Sequence, residues 1–317
     1  MSAMDTTAVA MPGTLDELLA PPLTWRQMVW LRFRRHKMAL VGAAVLILLF
    51  VYSFGGAFFL SEEYANAVDT KLRLAPPSSE HPFGTDTIGR DILARTIYGG
   101  QISLIIGLAA VVIQTVAGVL VGALAGYYGG LLDSLLMRLT EAVLIVPRLF
   151  LLLVMSKYFS GRMPDIDLLG RTFSGSVVVI IGIIGMTSWM YLARIVRAEF
   201  LSLKENEFVL AARAIGTPRW QIIFQHILPN SIAPIIVSAT LGVANAILLE
   251  AYISFLGLGV QAPTATWGNM LTGANRYIQE APWFWLFPGL LIVLTVLSIN
   301  FVGDGLRDAL DPRSRTM

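Results

Sequence analysis

Charged residues are scarce in this chain, so the few that fall inside long apolar runs are the first candidates for function. Glu141 and Arg148 share one such run and Glu250 lies in another. Ionisable groups in a bilayer interior are costly; they mark solute or ion paths, or pair between helices. The seven-residue spacing of Glu141 and Arg148 is two helical turns, which puts them on one face about 10 Å apart along the axis. That is too far for a direct pair and suits the lining of one translocation path. Ser254 falls one turn beyond Glu250 on the same face. The structural alternative stands beside each reading: a charge satisfied by a neighbouring helix, or one close to an interface. Catalytic chemistry finds no support. The sequence has no cysteine, no Gly-Lys dipeptide and hence no GxxxxGK[ST] phosphate loop, no GxSxG and no HExxH. His36, His81 and His226 sit in separate segments without metal-ligand spacing. No catalytic, cofactor-binding or metal residues are expected, and energy for transport must come from a partner or an ion gradient.

The elements that position these groups are apolar helices. The 317 residues are 56% hydrophobic and 14% charged, with mean hydropathy +0.69, whereas soluble domains carry about 25% charged residues. Unbroken apolar runs of about twenty residues indicate an all-α polytopic membrane protein rather than a β-barrel. Net charge is +2, too small to suggest nucleic acid as a partner; membrane lipid is the expected surroundings.

Six spans are expected. Residues 1–37 form a cytoplasmic tail (1–22) and, from Leu23 to Lys37, a basic amphipathic helix on the inner membrane surface. Span 1 is Met38–Leu60, and 61–100 is extracytoplasmic. A core of five further spans fills 101–303: Ile102–Ala123, Leu135–Met155 with a kink at Pro147, Ser176–Val196, Ile232–Leu256 and Phe284–Val302. Residues 304–317 are a basic tail containing Arg307, Arg313 and Arg315. Inner segments then hold about 14 Lys/Arg and outer ones about 8, so both termini are expected inside. Glycines 107, 118, 122, 182, 185 and 242 are read as close helix contacts. The segment His81–Asp91 is read as a capped entry to span 2, with docking of an outer protein as the alternative.

One inner stretch is unlike the rest. Glu207–Asn230 is polar and of mixed charge, and reads as two short helices around a sharp turn. The first, Phe208–Ile215, ends at Gly216 in the left-handed region. The second starts with Thr217 as N-cap and Pro218 at the first helical position, and Pro229 breaks it. A loop so structured suits docking better than spacing.

The stretch Ala211-Ala212-x-x-x-Gly216, followed by Leu228-Pro229, resembles the EAA loop of ABC importer permeases. Further segments narrow the likeness to the C-type permease subunit of the dipeptide/oligopeptide/nickel family. They are His81-Pro-Phe-Gly-Thr-Asp-x-x-Gly-Arg-Asp91, Ala125-Gly-Tyr-Tyr-Gly-Gly130, His226-Ile-Leu-Pro-Asn230, Glu250-Ala-Tyr-Ile-Ser-Phe-Leu-Gly-Leu-Gly259, Trp267-Gly268 and Gly303-Asp304 through Arg313. The likeness covers about residues 25–315. Two departures stand out: Leu210 replaces the Glu that names the loop, and Arg148 follows Pro147 where the family more often has a small or neutral residue. The resemblance implies a type I ABC importer permease fold, located in a bacterial or archaeal plasma membrane. It implies a homologous second permease, two cytoplasmic ABC ATPases that use ATP and Mg, and an extracytoplasmic solute-binding protein. The coupling loop 205–230 would seat on an ATPase through Leu210, Ala211, Ala212, Gly216, Thr217, Pro218, Leu228 and Pro229. Di- or oligopeptides are the leading solutes, with nickel chelates or oligosaccharides as the alternative. An ion-coupled secondary transporter and a membrane-bound enzyme are the competing classes.

Overall fold

The computed structural model describes residues 24–159, 161–168 and 171–311. The expected tail 1–22 and the basic residues Arg313 and Arg315 lie outside them. Among the described residues the regular structure is helical apart from one short antiparallel hairpin, β1 Ile166–Leu168 with β2 Arg171–Phe173. Five helices are long and apolar enough to cross a membrane, and a sixth crossing is formed if one sharply bent pair counts as a single span.

Helix α1 (Trp25–Arg35) opens with a capping box, in which the Thr24 hydroxyl accepts from the Gln27 N–H and the Gln27 side chain accepts from the Thr24 N–H. His36 ends it and caps α2 (Lys37–Phe50), its Nδ1 accepting from the Ala39 N–H at 3.1 Å. A π-helical turn and a 3-10 turn continue α2 to Phe58. After the short helix α3 (Glu62–Asn66) comes the knot that starts the central helix. Asp86 accepts from the Ile88 and Arg90 N–H groups and from Arg90 Nε at 2.7 Å. Asp91 caps α4 through the Ala94 N–H at 2.7 Å and binds His81 Nδ1 at 2.8 Å. The His81–Asp91 segment therefore builds the helix entry. Because the cap lies at Asp91, α4 spans Ile92–Tyr128, about ten residues longer at its N-terminal end than the expected Ile102–Ala123. Part of the expected extracytoplasmic segment 61–100 is thus helix.

Helix α4 is the centre of the bundle. Gly118, Gly122 and Gly126 form a stripe one turn apart. Added Cβ atoms there would lie 3.0, 2.5 and 2.8 Å from the carbonyl oxygens of Trp189, Ala193 and Arg197, so backbones touch along this seam. Gly107, Gly185 and Gly242 also face other helices closely, but Gly182 has open space and is not a contact glycine.

The expected straight span 3 is two helices, α5 (Gly130–Ile145) and α6 (Arg148–Phe159), meeting at 84°. Pro147 lacks an N–H, and Val146 before it is pushed to an extended ψ of 126°. Span 4 is one run, Gly175–Leu203, in which α7 (Gly175–Met186) and α8 (Trp189–Leu203) are joined by Thr187 and Ser188. Helices α9 (Glu207–Ala214) and α10 (Arg219–Gln221) lead into α11 (Ile232–Phe255). A short α12 (Trp267–Met270) precedes α13 (Pro282–Leu310), which packs on α2 and α11. Residues 304–310, expected as tail, continue α13. Gly305 allows this by meeting Ala39 so closely that a Cβ would collide with the alanine methyl.

Candidate functional site: the Gly216 turn and the charges within apolar helices

The turn after α9 is a Schellman motif. The Thr217 N–H bonds the Ala212 carbonyl and the Gly216 N–H bonds the Arg213 carbonyl, both at 3.0 Å. Gly216 has φ +80°, and a Cβ added there would have nothing within 4 Å, so the need for glycine is conformational and not one of space. The start of the second helix lies one residue later than expected. Pro218 is itself the N-cap, with ψ 145°, and its carbonyl accepts from Gln221 and Ile222.

Pro229 does not break the helix. A π-helical turn over Ile222–Ile227 and a 3-10 turn over Leu228–Ser231 carry the chain through, and Arg219–Phe255 is one 37-residue helical run. Changing the turn size removes the need for an N–H at 229 and moves the preceding carbonyls off the proline ring. Carbonyls left over are taken by side chains: Asn230 Nδ2 donates to His226 O at 2.6 Å and Ser231 Oγ to Ile227 O at 2.9 Å.

Two faces of this element differ. Val209, Ala212, Ile222, Ile223 and Ile227 are buried against Ala123, Tyr127, Val196 and Phe200, which fixes the turn to the ends of α4 and α8. Outward it presents Leu210 (46% exposed), Ile215 (84%) and Trp220 (61%), three apolar side chains open on and beside the turn. Ala211 is exposed with them, Leu228 is half-buried and Pro229 is exposed. Glu207 shares the Leu210 face one turn earlier. Beside the turn a cavity of 430 Å³ is lined by Tyr127, Tyr128, Arg213, Thr217, Arg219 and Ile222, and the Arg213 guanidinium lies 5.5 Å from the Tyr127 ring centre.

The intramembrane charges are not brought together. The 84° bend separates Glu141 from Arg148, so the shared face expected of a continuous helix does not exist. Glu141 is exposed on α5, paired with Arg138 at 3.6 Å, and borders a 660 Å³ cavity with Tyr191 and Arg194. Arg148 donates through Nη2 to Ser188 Oγ.

Glu250 has no exposed surface, so it lines no path in this conformation. Ser254 Oγ donates to its Oε1 at 2.7 Å and Ser103 Oγ to its Oε2 at 3.1 Å. Those hydroxyls in turn accept from the Val260 and Trp267 N–H groups, both at 3.2 Å. Trp267 Nε1 donates to Thr96 O at 2.8 Å. Cβ atoms added to Gly259 and Gly268 would collide with Ser254 Oγ and Ala251 Cα. The Glu250–Gly259 and Trp267-Gly268 motifs are thus one interlocked assembly that ties α11, α4 and α12.

The pairing of Arg197 is not legible in the sequence. Its guanidinium grips Asp133 with two bonds, Nη2 to Oδ2 at 2.7 Å, and Lys204 Nζ donates to Gly126 O at 3.2 Å. The available signal was weak: an acid just inside α5 and a base midway along α8. Among the described residues no cluster of three metal-ligating side chains occurs.

Comparison with known proteins places the chain. Residues 118–316 match the family described as binding-protein-dependent transport system inner membrane component. Residues 24–77 match the N-terminal TM domain of oligopeptide transport permease C. The dipeptide transport system permease protein of Alkalihalophilus pseudofirmus is 40% identical over 292 residues, 92% of this chain and 91% of the relative. The oligopeptide transport system permease protein of Bacillus subtilis is 37% identical over 310 residues, 97% and 96%. That of Haemophilus influenzae is 40% identical over 286 residues, 90% and 87%.

Proposed function

The chain belongs to the family of inner membrane components of binding-protein-dependent transport systems, and on that premise we propose that it is the peptide-specific permease half of an ATP-driven importer. Its permease role and multi-pass inner-membrane setting follow from the family, as does association in general with a second permease, ATPases and a binding protein. Relatives that carry dipeptides and oligopeptides in their names, aligned over nine-tenths of the chain, support the peptide class. Two ATPases, one homologous permease, cytoplasmic termini and an extracytoplasmic binding protein complete the proposed assembly. The lysine and arginine bias between loops supports that orientation.

The observation that carries the coupling mechanism is the two-faced turn. Its inner face is locked to α4 and α8, so a push on it is passed to the bundle. Its outer face offers Leu210, Ile215 and Trp220, which fits an apolar groove on an ATPase. Arg213 and Arg219 beside it fit carboxylates on the groove's rim. Leu210 fills the place of the usual acid, so shape and apolar contact do the seating. ATP binding shifts the bundle by its differential affinity for the two arrangements. Purification of the tagged chain with its neighbouring gene products tests the reading. ATPase subunits should copurify, and reconstituted vesicles should take up peptide only with ATP and the binding protein. Uptake that follows an ion gradient without ATP would overturn it.

A further inference from the structure

Arg148 is the first residue of α6, immediately past the Pro147 break. The hydroxyl it reaches, Ser188 Oγ, lies near the middle of the 29-residue run Gly175–Leu203, so the cation sits deep in the apolar layer. Its donors are not all used there. Nε is buried and has no hydrogen-bond partner, and Ser188 Oγ spends its own proton on the Ile184 carbonyl. No carboxylate among the described residues pairs with it; Glu141, the acid nearest in sequence, is engaged by Arg138. A buried donor without an acceptor is costly, more so on a charged group. Such a group is explained when an anion visits it.

The space beside it is small. Arg148 borders a cavity of 170 Å³, shared with Leu144, Pro147, Thr187 and Tyr191. Exposed Tyr191 also lines the 660 Å³ cavity further along α8, where Arg194 and Glu141 stand. The smaller space takes an end group and not a whole solute; the larger one has room for a residue or two.

We propose that Arg148 receives the terminal carboxylate of the peptide in transit at mid-membrane. This deepens the peptide-permease reading and rests on it. A guanidinium fork matches a carboxylate with two parallel bonds. A linear peptide carries one C-terminal carboxylate whatever its side chains, so a contact there guides the solute without reading its sequence. Apolar Leu144 and Pro147 around the fork add no further selection.

The test uses the complete transporter in proteoliposomes with its binding protein saturated. Uptake of a short peptide with a free C-terminus is compared with uptake of its C-terminal amide, in the wild type, Arg148→Gln and Ser188→Ala. Copurification of the ATPases checks assembly of each variant. In the wild type the acid should be taken up about tenfold faster than the amide, the size of one charge-assisted hydrogen bond. In Arg148→Gln the ratio should fall to about one through loss of acid uptake. In Ser188→Ala, which leaves the charge but frees its orientation, the ratio should fall by a smaller factor. An acid-to-amide ratio that stays at the wild-type value in Arg148→Gln overturns the inference while leaving peptide transport intact. If Arg148→Gln does not assemble, an unchanged ratio in Ser188→Ala overturns it instead. Wild-type vesicles that take up neither peptide overturn the peptide reading itself, and this inference with it.

Discussion

Asp133 in the first turn of α5 and Arg197 midway along α8 face each other in a two-point ion pair, with Arg197 Nη2 2.7 Å from Asp133 Oδ2. Both are partly open to solvent, so screening reduces what the pair contributes. Asp133→Asn should lower stability by about 1 kcal/mol, read as a drop in the thermal midpoint of the purified complex. The double swap Asp133→Arg with Arg197→Asp should recover part of the loss. A single variant as stable as the wild type would remove the pair from the forces holding this corner.

Gly216 allows a sharper test because its surroundings are empty. Only φ +80° opposes a side chain there. Gly216→Asn, tolerant of the left-handed region, should keep uptake near wild type. Gly216→Val should lose roughly 1–2 kcal/mol of local conformational stability and misaim α10. The expected signature is ATP hydrolysis with little peptide uptake per ATP. Equal uptake per ATP in the two variants would show that the turn's conformation is not used in coupling.

Glu250 separates a structural role from a path role. Glu250→Ala removes the acceptor of two buried hydroxyl donors and leaves a void, a loss of about 2–4 kcal/mol. The amount of assembled complex in membranes should fall several-fold. Glu250→Gln keeps the shape and should assemble close to normally. Uptake per assembled transporter should match wild type in both. Assembly at wild-type level combined with altered solute preference would restore the path reading.

The proposed seating on an ATPase by apolar contact predicts an order of effects. Trp220→Ala and Ile215→Ala should each weaken recovery of the ATPase with the permease by about tenfold, the size seen for central aromatic or aliphatic anchors. Leu210→Glu, which restores the usual acid at a half-exposed position, should fold normally. Retention of the ATPase by a Trp220→Ala, Ile215→Ala double variant would place the contact elsewhere.

The sequence made the spans, the Gly216 turn and the family legible because apolar run length and a left-handed glycine act locally. It hid what depends on neighbours. Pro229 reads as a stop, yet the π-helical turn before it and the Asn230 and Ser231 side chains absorb it. Pro147 reads as a kink, and the degree of bend that separates Glu141 from Arg148 is set by packing. Glu250 reads as a lone intramembrane charge because its partners, Ser103 and the backbone of Trp267 held through it, lie on distant parts of the chain. The segment His81–Asp91 reads as a capped entry, but the apolar run alone starts the span at Ile102, because Arg95, Tyr98 and Gln101 interrupt it and are buried within α4.

The continuity of Arg219–Phe255 has a mechanical meaning. Thirty-seven residues at 1.5 Å each make a rod of about 55 Å, longer than the hydrocarbon layer is thick. One end carries exposed Trp220; near the other, Glu250 and Ser254 fasten it to α4 and α12. Such a rod acts as a lever: a tilt of about 5° would sweep its far end through roughly 5 Å. If the proposed ATPase seat lies at Trp220, a proline tolerated in the shaft, in place of a hinge, would let a small movement there reach the opposite end of the run.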